Sequence, residues 1–136
     1  MTGVCLGFCL LLFSQVAQNS SSFLVGDWYG EEQPNDPNVL WLARFWPDGR
    51  FEAEFRTCRK TQTIDEIDQG SWTYRNGVTD VTSLFVDGRP IHVIDRYKTL
   101  SFDGSKHVYR HERTGFVFTA VRVGAQFEIP SCNLSS

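Results

Sequence analysis

Three short stretches of this 136-residue chain place polar, chemically capable side chains at every second position. His107, Tyr109 and His111 form one set, Asp95, Tyr97 and Thr99 a second, and Asp80, Thr82 and Leu84 a third. In an extended chain, residues two apart share a face, so each set points to one side of its segment. With those faces turned inward in a closed structure, Tyr97, Tyr109, His107, His111, Thr82 and Asp95 line one end of a cup. Trp72 and Phe55 then supply apolar wall. A mainly aromatic pocket with a few convergent polar groups is the expected form of a small-molecule site. With the faces turned outward, the same residues are ordinary solvent-side groups. A slip of one position reverses every assignment.

Other chemistries find less support in the residues. His107 and His111, four apart on a strand, stand roughly 13 Å from each other by the strand rise. That is too far to share one metal ion, and His92 has the opposite parity to Asp95. No metal site is expected, and no cofactor, since nothing selects one histidine for haem. Gly70-Ser71-Trp72 lacks the second glycine of a nucleophile elbow. The acidic groups Glu31-Glu32, Glu52/Glu54 and Asp65-Glu66-Asp68 read as solvated faces or loop rather than as acid–base pairs. No glycine-rich phosphate loop precedes a helix. The chain is not expected to be an enzyme.

The elements that would position the candidate residues follow from composition and punctuation. The 11 Phe, 4 Trp, 4 Tyr, 12 Val and 10 Thr stand against only 5 Ala and 1 Met, a balance that favours strands over helices. At 21% charged and 41% apolar the chain is not wholly disordered, and its length suits one domain with a real core. A net charge of −3 with interspersed signs offers no basic surface for nucleic acid.

Asp48-Gly49, Asn76-Gly77, Asp87-Gly88, Asp103-Gly104 and Thr114-Gly115 separate runs of strand-like composition, and such pairs supply the positive φ of tight hairpins. Reading between them gives eight strands, at 24–32, 38–46, 50–58, 68–75, 78–86, 90–102, 105–112 and 115–123. Residues 59–67 are read as the one long link, a loop with at most one helical turn. Phe51, Ala53 and Phe55 alternate with Arg50, Glu52, Glu54 and Arg56, and Phe116, Phe118, Ala120 and Arg122 share one face of the last strand. Successive hairpins with this alternation predict an all-β fold, a single antiparallel up-and-down eight-stranded barrel.

No charge occurs before Asp27, and residues 4–13 are nearly all apolar. This run is too short to cross a bilayer as a helix, which takes roughly 20 residues. It has the length of a signal-peptide core, so residues 1–22 are read as a signal peptide, 23–136 as the barrel domain, and the protein as exported, periplasmic or secreted. Removal of the signal would take Cys5 and Cys9 with it. The remaining pair, Cys58 and Cys132, reads as one disulfide tethering the tail to a strand.

Gly26-Asp27-Trp28 on the first strand together with Arg122 on the last resembles the lipocalins and their wider calycin relatives. The resemblance covers about residues 23–123 and implies that Trp28 plugs the closed end of the barrel under the Arg122 guanidinium, both as structural residues rather than ligand contacts. The pinning of the C-terminal segment by Cys58 and Cys132 is likewise similar to the lipocalin arrangement. Two family features are missing: Thr79-Asp80 is not followed by tyrosine, and the tail after Val123 is too short for the usual C-terminal helix. The chain is closer to short, helix-less lipocalin-like domains of exported bacterial proteins. The implied function is binding of a small, largely apolar ligand in the cup. The alternative is a protein-binding accessory or inhibitor, for example of a secreted protease, acting through Phe23 and the 34–37 and 59–67 loops. A cup blocked by Phe51, Phe55, Trp72 and Tyr97 would favour the second, and an open cup the first.

Overall fold

The computed structural model describes residues 22–132. The expected signal segment lies outside the described residues apart from Ser22, as do Cys5, Cys9 and residues 133–136. Eight strands follow one another: β1 Gly26–Gln33, β2 Asp36–Phe45, β3 Arg50–Cys58, β4 Thr63–Arg75, β5 Val78–Val86, β6 Arg89–Phe102, β7 Lys106–His111 and β8 Val117–Val123. Each pairs antiparallel with the next, and β8 returns to β1, so the sheet closes as an up-and-down barrel. This architecture is consistent with a lipocalin-like fold.

Alternation drives the closure. Phe51, Ala53 and Phe55 of β3 sit beside Phe45, Ala43 and Trp41 of β2, facing inward. The opposite face carries ions matched across strands: Arg44 reaches Asp27, Glu52 and Glu54, and Arg56 meets Asp65 at 2.9 Å. The sharpest reversals use the expected turn pairs, with φ of 52° and 79° at Asn76 and Gly77 and of 50° and 76° at Asp87 and Gly88. Two consecutive positive φ values match the right-handed twist of the flanking strands.

The long link expected between the third and fourth strands is not a loop. A tight turn at residues 59–62, closed by Arg59 N–H donating to the Gln62 carbonyl at 2.8 Å, leads straight into β4 at Thr63. The acids that resembled loop residues are strand residues with partners: Asp65 lies across from Arg56 on the outside, while Glu66 and Asp68 lie across from Phe55 and Ala53 on the inside. β4 and β6 thereby reach 13 and 14 residues, against 6 and 7 for β7 and β8. Residues 89–96 of β6 continue past Tyr97↔His111, the last ladder pair with β7.

The other end is shut. Arg122 lies 4.4 Å from the centroid of the Trp28 ring and donates to the carbonyls of Val25, at 2.9 Å, and Phe23. Trp28 Nε1–H donates to the Leu24 carbonyl at 2.9 Å, and Phe23 packs against Trp28, Tyr74 and Phe102. The strap at residues 23–25 is thus folded under the barrel and held by Arg122. Outside the wall, Cys58 and Cys132 are disulfide-bonded across 74 residues. The tail is further held by Arg56, which donates to the Ile129 and Pro130 carbonyls, and by Phe127 against Tyr29.

Two losses of stability are expected. Arg122→Ala removes the stack and two hydrogen bonds at a partly solvated site and lowers unfolding free energy by about 1–3 kcal/mol. Denaturant titration reads this directly, and an unchanged midpoint would remove Arg122 from the closure. Replacing both Cys58 and Cys132 by serine is expected to cost about 2–4 kcal/mol. Wild-type stability insensitive to reductant would contradict that expectation.

Candidate functional site

Above the Trp28 floor the barrel keeps a cavity of about 320 Å³. Small side chains make the room: Ala43, Ala53 and Ala120 face inward where larger residues would meet at the axis. Gly30 serves the same wall in another way. A Cβ there would lie 2.0 Å from the Trp41 ring, so only glycine lets the indole of its ladder partner lie flat across β1. Trp41 then meets Phe118 edge-on, and Phe118 stacks on Tyr109, which stacks on His107. Tyr97 closes the group with its edge toward Tyr109 and Phe118.

The structure brings most of the sequence-predicted residues together. Tyr97, Tyr109, His107, His111 and Phe55 border the cavity, and Asp95 stands beside His111. Trp72 does not border it. Its indole is buried toward the closed end, donating to the Trp46 carbonyl at 2.9 Å and edge-on to Phe45. Thr82 is on the outer face, in the same row as Asp80, which pairs with Arg96. The inward residues of β5 are instead Thr79 and Val81. Leu84 misled the phase: the ladder shifts between Ser83 and Phe85, so Leu84 sits in an irregularity, 37% exposed, and does not extend the inner row. The correct phase was available from the Asn76-Gly77 turn. A two-residue turn sets Tyr74 opposite Thr79 and Trp72 opposite Val81, so Val81 must share the face of Trp72. Trp28 departs from its expected role in one respect: besides underlying Arg122 it forms part of the cavity floor.

Two histidines carry the polar chemistry of the wall. His107 Nε2 lies 3.0 Å from the Thr99 hydroxyl, and burial lowers the pKa of its imidazole to about 4, so the ring is neutral. His111 is held from both sides. Thr114 approaches Nδ1 with its hydroxyl at 2.8 Å and its backbone N–H at 3.3 Å, which makes Nδ1 the acceptor. Nε2 then carries the proton it donates to Asp95 Oδ1 at 2.8 Å. Burial holds the phenols of Tyr97 and Tyr109 protonated well above the usual tyrosine range, and for Tyr97 the nearby Asp95 adds to the effect.

Asp68 was missed as a site residue because the segment before it read as loop. Its carboxyl pKa is pushed up to about 7, by burial first and then by the neighbouring Glu66, Asp87 and Asp95 carboxylates. Among the described residues no three His, Cys, Asp or Glu side chains come together as metal ligands do. No known protein-family model matches the chain, and no curated protein is significantly similar to it.

Asp68 gives a testable pH dependence. A carboxyl whose folded pKa of about 7 exceeds its ordinary value of 3.8 costs stability wherever it is ionised in the fold. The cost is absent at low pH, grows as pH rises between those two values, and is constant above them. Asp68→Asn is therefore expected to match wild type near pH 4 and exceed it near pH 8. Thermal melts of both proteins across that range check it, and the comparison cancels the opposite contribution of His107. A parallel pair of curves would refute the buried, ionisable Asp68.

Proposed function

We propose that this chain is an exported, non-enzymatic barrel of the calycin type that binds a small, largely apolar molecule in its cup. The observation that carries the reading is the open, aromatic-walled cavity of about 320 Å³. Phe51, Phe55 and Tyr97 line it rather than block it, and Trp72 is withdrawn from it. A barrel of eight strands has just enough interior to be filled by side chains or to hold one small ligand, and the alanines at positions 43, 53 and 120 leave it partly empty. The size is at the lower end of small-molecule pockets, which favours a compact ligand over a long lipid. The disulfide is compatible with an oxidising, exported setting. The loop-based alternative gains no comparable feature from the turn at residues 59–62, which is short and tightly closed.

The test is native mass spectrometry of protein purified from its own host, followed by exposure to a metabolite panel. A co-purifying or added small molecule is expected to shift the mass, and Ala53→Phe, which fills the cup from β3, is expected to weaken that binding at least tenfold. A clean mass with no shift from any compound would overturn the reading.

A further inference from the structure

The apolar reading of the cup leaves a set of carboxylates on its inner wall unexplained. Glu66 and Asp68 of β4 face inward as ladder partners of Phe55 and Ala53, both of which border the cavity. Asp95 of β6 is the ladder partner of Val81, which also borders it. Three acids on the inner face of the barrel wall are a poor fit to a purely hydrocarbon ligand, because like charges repel.

One atom of this wall is short of a partner. Asp68 Oδ1 is wholly buried and has no hydrogen-bond partner among the described residues. A buried unsatisfied acceptor of this kind calls for a ligand, water or ion. Tyr97 borders the cavity and is mostly buried. The charges of Asp95 and Asp68 both help to hold that phenol protonated, after burial. Arg113, in the β7–β8 turn, is the cation whose field reaches the same phenol. On the β2–β4 side, Arg44, Arg50, Arg56 and Arg59 are each paired with a carboxylate.

We infer that the cup selects its ligand by charge, taking an aromatic or aliphatic body that carries a protonated amine and rejecting the same body that carries a carboxylate. The ammonium stands beside Asp68 and Asp95 and donates to the Tyr97 hydroxyl oxygen. The body packs against Trp41, Tyr109 and Phe118, whose ring faces also favour a nearby cation. An ammonium in this position supplies the donor that Asp68 Oδ1 lacks. It also offsets the burial and the neighbouring carboxylates that disfavour a charge on Asp68, so binding favours the ionised carboxylate. A carboxylate ligand would add a further negative charge to the same wall.

This inference rests on the reading of the cup as a ligand site, and one experiment separates the two. Three probes with the same body, 2-naphthylmethylamine, 2-naphthalenemethanol and 2-naphthoate, are titrated calorimetrically into the full protein at pH 8. The amine is expected to bind at least tenfold more tightly than the carboxylate, with the alcohol between. Asp68→Asn is expected to bring amine and alcohol to within about twofold of each other while leaving alcohol affinity unchanged, and its melting curve verifies that it folds. Equal affinities for amine and carboxylate would overturn charge selection and leave the cup reading standing. An unaltered amine preference in Asp68→Asn would overturn the assignment of Asp68. Failure of all three probes to bind would overturn both readings together.

Discussion

The barrel depends on a narrow seam. β1 and β8 meet over only three residue pairs, Asp27↔Val123, Trp28↔Arg122 and Tyr29↔Val121. A sheet that closes on so short a ladder gains little from backbone pairing at the join, and an open sheet would expose two strand edges. Arg122 sits at the centre of the seam and does more than pair: its guanidinium covers the Trp28 ring and reaches two carbonyls of the strap at residues 23–25. One planar cation therefore ties first strand, last strand and N-terminal strap into a single unit. Its flat, weakly hydrated head suits that position in a way an ammonium does not.

Closure sets the terms for everything above the floor. Once the sheet is a barrel, side-chain size along the inner rows decides between a filled core and a vacant cup. Here bulky aromatics are gathered on one side, through Trp41, Phe118, Tyr109 and Tyr97, and alanines lie between them. The hydroxyls and imidazoles within this wall bond chiefly to one another, Thr99 to His107 and Thr114 to His111 to Asp95. These local pairs fix the rings in place. Among the described residues, the buried side-chain atom left without a hydrogen-bond partner is Asp68 Oδ1, near the Glu66 and Asp95 carboxylates.

Much of this was legible in the residues. Eight strands, their turns and the inward rows of β3 and β8 follow from period-2 alternation between Asn-Gly and Asp-Gly pairs, signals that are local and strong, whereas alternation alone left the β6 and β7 rows open to either side. The pairing of Cys58 with Cys132 followed from simple counting. What was obscure involved residues whose local chemistry conflicts with their tertiary position. Thr63 to Asp68 is acidic enough to resemble loop, yet Arg56 across the ladder neutralises Asp65, and closure turns Glu66 and Asp68 inward. Leu84, apolar but set in a ladder irregularity, shifted the reading of β5 by one residue and put Thr82 in place of Thr79 and Val81. Nothing in the sequence marks Gly30, whose purpose appears only when Trp41 is seen lying over it.

The unequal strand lengths give the cup a slanted lip. The long β4 and β6 stand above the mouth, while the β7–β8 side stops at His111 and Val117. Their inner surface carries Ile64, Ile91 and Val93 in partial exposure. A molecule approaching over the low rim meets this apolar screen before it reaches the lumen. If the cup takes a ligand as proposed, such a lip would serve as a landing surface that sheds water from it in stages and orients it before entry. On the proposed reading of the cup, exchange through a slanted mouth would need no large rearrangement of the wall.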